Sequence, residues 1–66
     1  MQVSVNGDTV TVDDGLTVAA LLGDLGQEPK GVAVAVNEQV VPRSTWDRAV
    51  LAGGDRVELL RAAQGG

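Results

Sequence analysis

The group in this chain best suited to chemistry is a carboxylate, the one that follows Gly65 and Gly66. The sequence closes on Ala62-Ala63-Gln64-Gly65-Gly66, directly after a strand-like segment. A carboxylate is a poor electrophile until one of its oxygens becomes a leaving group, and formation of an acyl adenylate with ATP achieves that. An adenylating enzyme must bring the carboxylate to the α-phosphate inside a narrow, water-poor pocket. Side chains on the last two residues would collide with the walls of such a channel. Glycine has no Cβ and reaches backbone conformations closed to other residues. Ala62 and Ala63 are also small, so the whole segment is slim. Five extended residues reach about 16 Å, enough to cross an active-site tunnel. The expected site is therefore Gly66 as the point of covalent modification, with Gly65 and Gln64 threading into partner active sites. Residues 62–66 are expected to form a flexible tail on a domain spanning 1–61.

The remaining composition excludes most other chemistry. With 66 residues the chain makes one domain with a thin core. It has no cysteine and no histidine. Disulfides, thiolate chemistry, soft or imidazole metal ligands and histidine acid–base catalysis are all excluded. Trp46 is the sole aromatic residue, so the core must be built from Val, Leu and Ala. Nine acids against five bases give a net charge of −4. The bases Lys30, Arg43, Arg48, Arg56 and Arg61 are dispersed, which argues against nucleic-acid binding. The acidic balance favours basic partner surfaces. No apolar run approaches a membrane span and no basic-then-apolar leader opens the chain, so a cytoplasmic protein is expected.

Hydrophobic periodicity supplies the elements that carry the tail. Residues 1–5 and 9–12 alternate with Val3, Val5, Val10 and Val12 on one face, which predicts two half-buried strands. Asn6-Gly7 between them is a strong hairpin signal. An Asn6-Gly7 turn pairs Val3 with Val10, whereas a Gly7-Asp8 turn pairs Val5 with Val10. Both keep the valines on one face, so the register stays open. Thr17 can cap a helix whose Val18, Leu21, Leu22 and Leu25 form one apolar stripe, and Gly26 is placed to end it. Residues 31–36 alternate Val and Ala with no polar face, which suits either a central strand covered on both sides or a sheet face shielded by loops. Val40-Val41 makes a short strand ended by Pro42. Residues 44–47 read as a single helical turn carrying Trp46 as a core plug or surface-packing residue. A turn at Gly53-Gly54-Asp55 leads into a last strand, Arg56 to Arg61, with Leu60 on the opposite face from Val57 and Leu59. The order β-β-α-β-β-β describes a two-layer α+β domain.

These pieces, in this order, resemble the ubiquitin-like β-grasp sulfur carriers, and most closely the ThiS family of thiamin biosynthesis. The resemblance rests on Val5-Asn6-Gly7, Thr17-Val18 with Leu21-Leu22, and Ala33-Val34-Ala35-Val36-Asn37. It continues through Val41-Pro42-Arg43-Ser44 with Trp46, then Gly54-Asp55-Arg56-Val57-Glu58, and ends on Gln64-Gly65-Gly66. It spans essentially the whole chain. It implies a β-grasp fold with a mixed sheet of four to five strands packed on one helix. It also implies a carrier rather than an enzyme, with no bound cofactor and no metal. A ThiF-like adenylating enzyme would consume ATP to activate Gly66. Sulfur from a persulfide donor would then give a thiocarboxylate, and a ThiG-like thiazole synthase would take that sulfur.

Three other readings share parts of this pattern. One is a sulfur carrier of a related pathway, serving molybdopterin, cysteine or a secondary metabolite. Another is a ubiquitin-like modifier joined to lysines through Gly66. The last is a small interaction module with an incidental tail. In every case a monomer is expected when free. A strand apolar on both faces predicts a partner surface on the sheet face away from the helix, with Val32, Val34, Val36 and Leu60 as its candidate residues. Arg43, Arg56 and Arg61 are candidate rim contacts.

Overall fold

A computed structural model describes residues 1–61, and the tail residues Ala62, Ala63, Gln64, Gly65 and Gly66 lie outside the described residues. The described elements are β1 (Gln2–Val5), β2 (Asp8–Thr11), α1 (Val18–Asp24), β3 (Val32–Val36), β4 (Gln39–Val41) and β5 (Arg56–Arg61). A 3₁₀ turn at Arg43–Thr45 follows β4. The strands form one five-stranded sheet in the order β2-β1-β5-β3-β4. β1 and β5 run parallel, and the other pairings are antiparallel. The expected element order and the mixed sheet on one helix are both present.

The first hairpin selects the Asn6-Gly7 turn. Val3 lies opposite Val10 and Val5 opposite Asp8, leaving Asn6 and Gly7 as the two loop residues. Their φ angles of 49° and 89° fit a type I′ turn, which matches the twist of the flanking strands. A Gly7-Asp8 turn would put Asp8 at positive φ, where only glycine is free of steric cost.

The helix begins and ends as its residues dictate. Thr17 is extended, and its hydroxyl oxygen accepts from the Ala20 backbone N–H at 3.2 Å. At the other end the Gln27 N–H donates to the Leu22 carbonyl and the Gly26 N–H to the Gly23 carbonyl. That pair of bonds is the Schellman arrangement, and Gly26 supplies its positive φ of 68°. Gly23 faces solvent, and a Cβ there would meet nothing within 4 Å. Gly23→Ala is therefore expected to stabilise the fold by about 1 kcal/mol, raising the melting temperature by about 5 °C. A thermal melt that stays level or falls would contradict this account of the helix.

The core lies between α1 and one face of the sheet. Val3, Val5, Val32, Val34 and Val57 from the strands meet Val18, Leu21 and Leu22 from the helix. Leu51 and Trp46 belong to the same buried cluster. Trp46 is the core plug: it is 5% exposed, and its indole N–H donates to the Val41 carbonyl at 2.9 Å. Leu51 had no periodic neighbours to mark it in the sequence. It is fixed instead by its N–H, which donates to the Leu16 carbonyl at 2.8 Å.

Candidate functional site

Strand β5 is the platform for the tail, since Ala62 follows Arg61 directly. It occupies the middle of the sheet, with β1 on one side and β3 on the other. The Ser4 N–H donates to the Asp55 carbonyl at 3.0 Å and the Asn6 N–H to the Val57 carbonyl at 2.9 Å. The odd-numbered residues thus turn their polar backbone toward β1. On the other edge the Asn37 N–H donates to the Arg56 carbonyl at 2.8 Å.

The start of β5 is locked by side chains. Asn37 has a φ of 52°, and its side-chain oxygen accepts from the Arg56 N–H at 2.9 Å. Its amide group donates to Asp55 Oδ1 at 3.0 Å, while Asp55 Oδ2 accepts from the Ala52 N–H at 2.8 Å. The turn residues on either side of β5 therefore satisfy each other's polar groups. In the sequence these read only as turn formers. Their spacing carries no sign that Asn37 and Asp55 meet.

The far end of β5 borders a shallow groove of about 240 Å³, lined by Asn6, Gln27, Val32, Leu59 and Arg61. The Arg61 guanidinium donates to the Gln27 side-chain oxygen across it. This contact ties the last described residue to the loop after α1. Arg43 also turns inward: it donates to the Pro29 carbonyl at 2.8 Å and lies 5.3 Å from the centre of the Trp46 ring. Two of the three arginines expected at a partner rim thus already hold contacts within the domain. Arg56 is exposed and shares the open face of the sheet.

That open face corrects the expected partner surface. Val32 and Val34 do not belong to it; they point at the helix and are buried, Val34 to 1% exposure. Val36 lies on the same side, half-buried against the core. A strand alternates its side chains, so the valines and alanines of β3 divide between the two faces. The core takes the valines, and on the other face Ala33 is exposed and Ala35 half-buried, against the expectation of a strand covered on both sides. The open face carries Ala33 opposite Leu60 and Ala35 opposite Val40. Leu60, 61% exposed, is where the sequence placed it. Val40, 75% exposed, was missed, although its pairing with the alanine face follows once the β3–β4 register is known. These four residues form an apolar patch beside the exit end of β5, flanked by Arg56 and Glu58.

The comparison with known proteins bears on this arrangement. The model of the ThiS family matches residues 2–66. The chain belongs to the ThiS family. The sulfur carrier protein ThiS of Escherichia coli is 36% identical over 66 residues, covering all of both chains. The crystal structure of a thiamine biosynthesis protein (ThiS) from Geobacter metallireducens superposes with a TM-score of 0.87 at 36% identity, again over all of both chains. A thiazole synthase of Paramagnetospirillum magneticum is 35% identical over 66 residues, which make up 20% of that longer protein. The ThiS fold accounts for the five-stranded sheet on one helix seen here. Gly66, Gly65 and Gln64 lie outside the described residues, so their roles rest on sequence and chemistry.

Proposed function

We propose that this chain carries sulfur for thiazole formation in thiamin biosynthesis, holding it as a thiocarboxylate on Gly66. The observation that carries this reading is the end-to-end match with a sulfur carrier protein of equal length. The Gly66 carboxylate attacks the α-phosphorus of ATP and pyrophosphate leaves, giving an acyl adenylate. The terminal sulfur of a persulfide donor then attacks the carbonyl carbon and AMP leaves, giving an acyl disulfide. A second thiol attacks the donor-side sulfur, so that the S–S bond breaks, the thiocarboxylate is released and a disulfide is left on the donor. The chain itself supplies no catalytic side chain. A ThiF-like enzyme performs the activation and consumes the ATP, and a ThiG-like thiazole synthase receives the sulfur. Support for that acceptor comes from thiazole synthases with a segment resembling this chain, one of them from Magnetococcus marinus at 36% identity. The setting proposed is the cytoplasm; no helix among the described residues is long and apolar enough to cross a membrane.

The test is the intact mass of the protein after incubation with ATP, an adenylating enzyme, a persulfide donor and excess thiol. A gain equal to one oxygen replaced by sulfur supports the reading. No gain in the presence of an enzyme active on another carrier would overturn it.

The apolar patch is the proposed docking face for these partners. Leu60→Asp is expected to weaken capture of the adenylating enzyme by at least about tenfold, the loss typical of a central apolar contact. The same variant should melt within a few degrees of the parent, because exposed positions contribute little to stability. Equal affinity of variant and parent in a titration would remove the patch from the interface.

A further inference from the structure

Strand β1 stops pairing with β5 early. Its last partner is Val5 opposite Val57, and β5 continues for four more residues to Arg61. Beyond Val57 the next polar backbone groups on that edge belong to Leu59. They are met by a side chain, not by a strand. The Leu59 N–H donates to Asn6 Oδ1 at 2.8 Å, and Asn6 Nδ2 lies 3.4 Å from the Leu59 carbonyl oxygen. The first is a short, well-formed bond and the second is long. Together the Asn6 carboxamide stands in for one more peptide unit of β1.

The turn alone does not require this. A type I′ turn at position 6 needs a residue tolerant of positive φ, and glycine or aspartate would serve. It does not need a side chain bonded to a residue 53 positions away. Only Leu60 and Arg61 separate Leu59 from the segment that ends in Gly66.

We propose that Asn6 is a positioning residue for the terminal carboxylate, acting through Leu59 as the last rung between β1 and β5. This inference rests on the carrier reading above. With the rung in place, β5 is held on both edges as far as Leu59, two residues before the last described residue. The direction in which the strand runs toward the C-terminus is then fixed relative to the docking face. Without it, the β5 backbone past Val57 is paired on the β3 side alone, with only the Arg61–Gln27 side-chain contact besides, and a docked carrier presents its carboxylate over a wider range of directions.

The test is steady-state adenylation, read as ATP–pyrophosphate exchange by an adenylating enzyme with the carrier as the varied substrate. Asn6→Gly keeps the turn and removes both bonds. It is expected to lower kcat by about tenfold with KM within about twofold, the pattern of a misplaced reacting group. Asn6→Asp keeps the acceptor for the Leu59 N–H and is expected to recover kcat to within about threefold of the parent. A purely structural role would deplete folded carrier, raising the apparent KM at unchanged kcat. Amide hydrogen exchange at Leu59 should quicken in Asn6→Gly and stay near the parent rate in Asn6→Asp. An unchanged kcat in Asn6→Gly, or an Asn6→Asp variant as slow as Asn6→Gly, overturns the inference while leaving the carrier reading in place. A parent protein that supports no exchange overturns the carrier reading first, and this inference with it.

Discussion

Deleting Gly66 is expected to abolish thiocarboxylate formation and leave thermal stability unchanged. The buried residues among those described run from Val3 to Val57, and the deletion removes none of them. The chemistry is far less tolerant. One residue of extended chain spans about 3.5 Å, so the shortened carboxylate stops that far from the α-phosphorus. Reacting atoms must approach to about that distance before bonds can form, and misplacement by a third of it already costs about a hundredfold. Gly65→Val tests the same channel differently, keeping the carboxylate and adding bulk beside it. It should lower the rate by about a hundredfold or more. Intact mass after reaction reads both variants. Normal sulfur loading by the deleted protein would refute the assignment of Gly66.

Leu21→Ala is expected to destabilise the domain by about 3 kcal/mol, within the range for leucine truncation in a core. Leu21 is among the largest fully buried side chains and sits where the helix stripe meets the sheet. The same loss in a larger protein would be absorbed. A domain of this size starts near the low end of the usual 5–15 kcal/mol, so this single change removes most of its stability. Urea denaturation measures the effect, and a loss under about 1 kcal/mol would show that the core is not organised around this helix. Sulfur loading should then fall with the folded fraction, at conditions where the parent remains folded.

Much of this fold was legible in the sequence. Its signals are local and strong: alternating valines, an Asn-Gly turn, a threonine cap and a terminating glycine. The last strand, Arg56 to Arg61, agrees with its sequence-based bounds, because the Gly53-Gly54-Asp55 turn precedes it and Val57 and Leu59 alternate cleanly. What could not be read was which residues meet across the sheet. A strand of alternating Val and Ala looks apolar on both faces, yet only the larger side chain fills the space beneath a helix. Val32 and Val34 therefore went to the core, and the apolar residues of the open face are Ala33, Ala35, Val40 and Leu60. The asparagine contacts were equally hidden. Asn6 and Asn37 each read as turn residues, and their bonds to β5 depend on a strand order that places distant segments side by side. Gly66, read as the reactive end, lies outside the described residues, and that reading rests on residue type and small size alone.

The central place of β5 also governs how the molecule bears mechanical load. A partner that grips the tail pulls along the axis of β5. The strand is bonded to β1 on one edge and to β3 on the other. Force along a strand loads its rungs in shear, so many must fail together, whereas an outer strand pulled sideways peels away one rung at a time. A pull on the C-terminal end of β5 therefore loads rungs on both of its edges at once. A protein-unfolding motor that engages the same end would meet its greatest resistance at the first step.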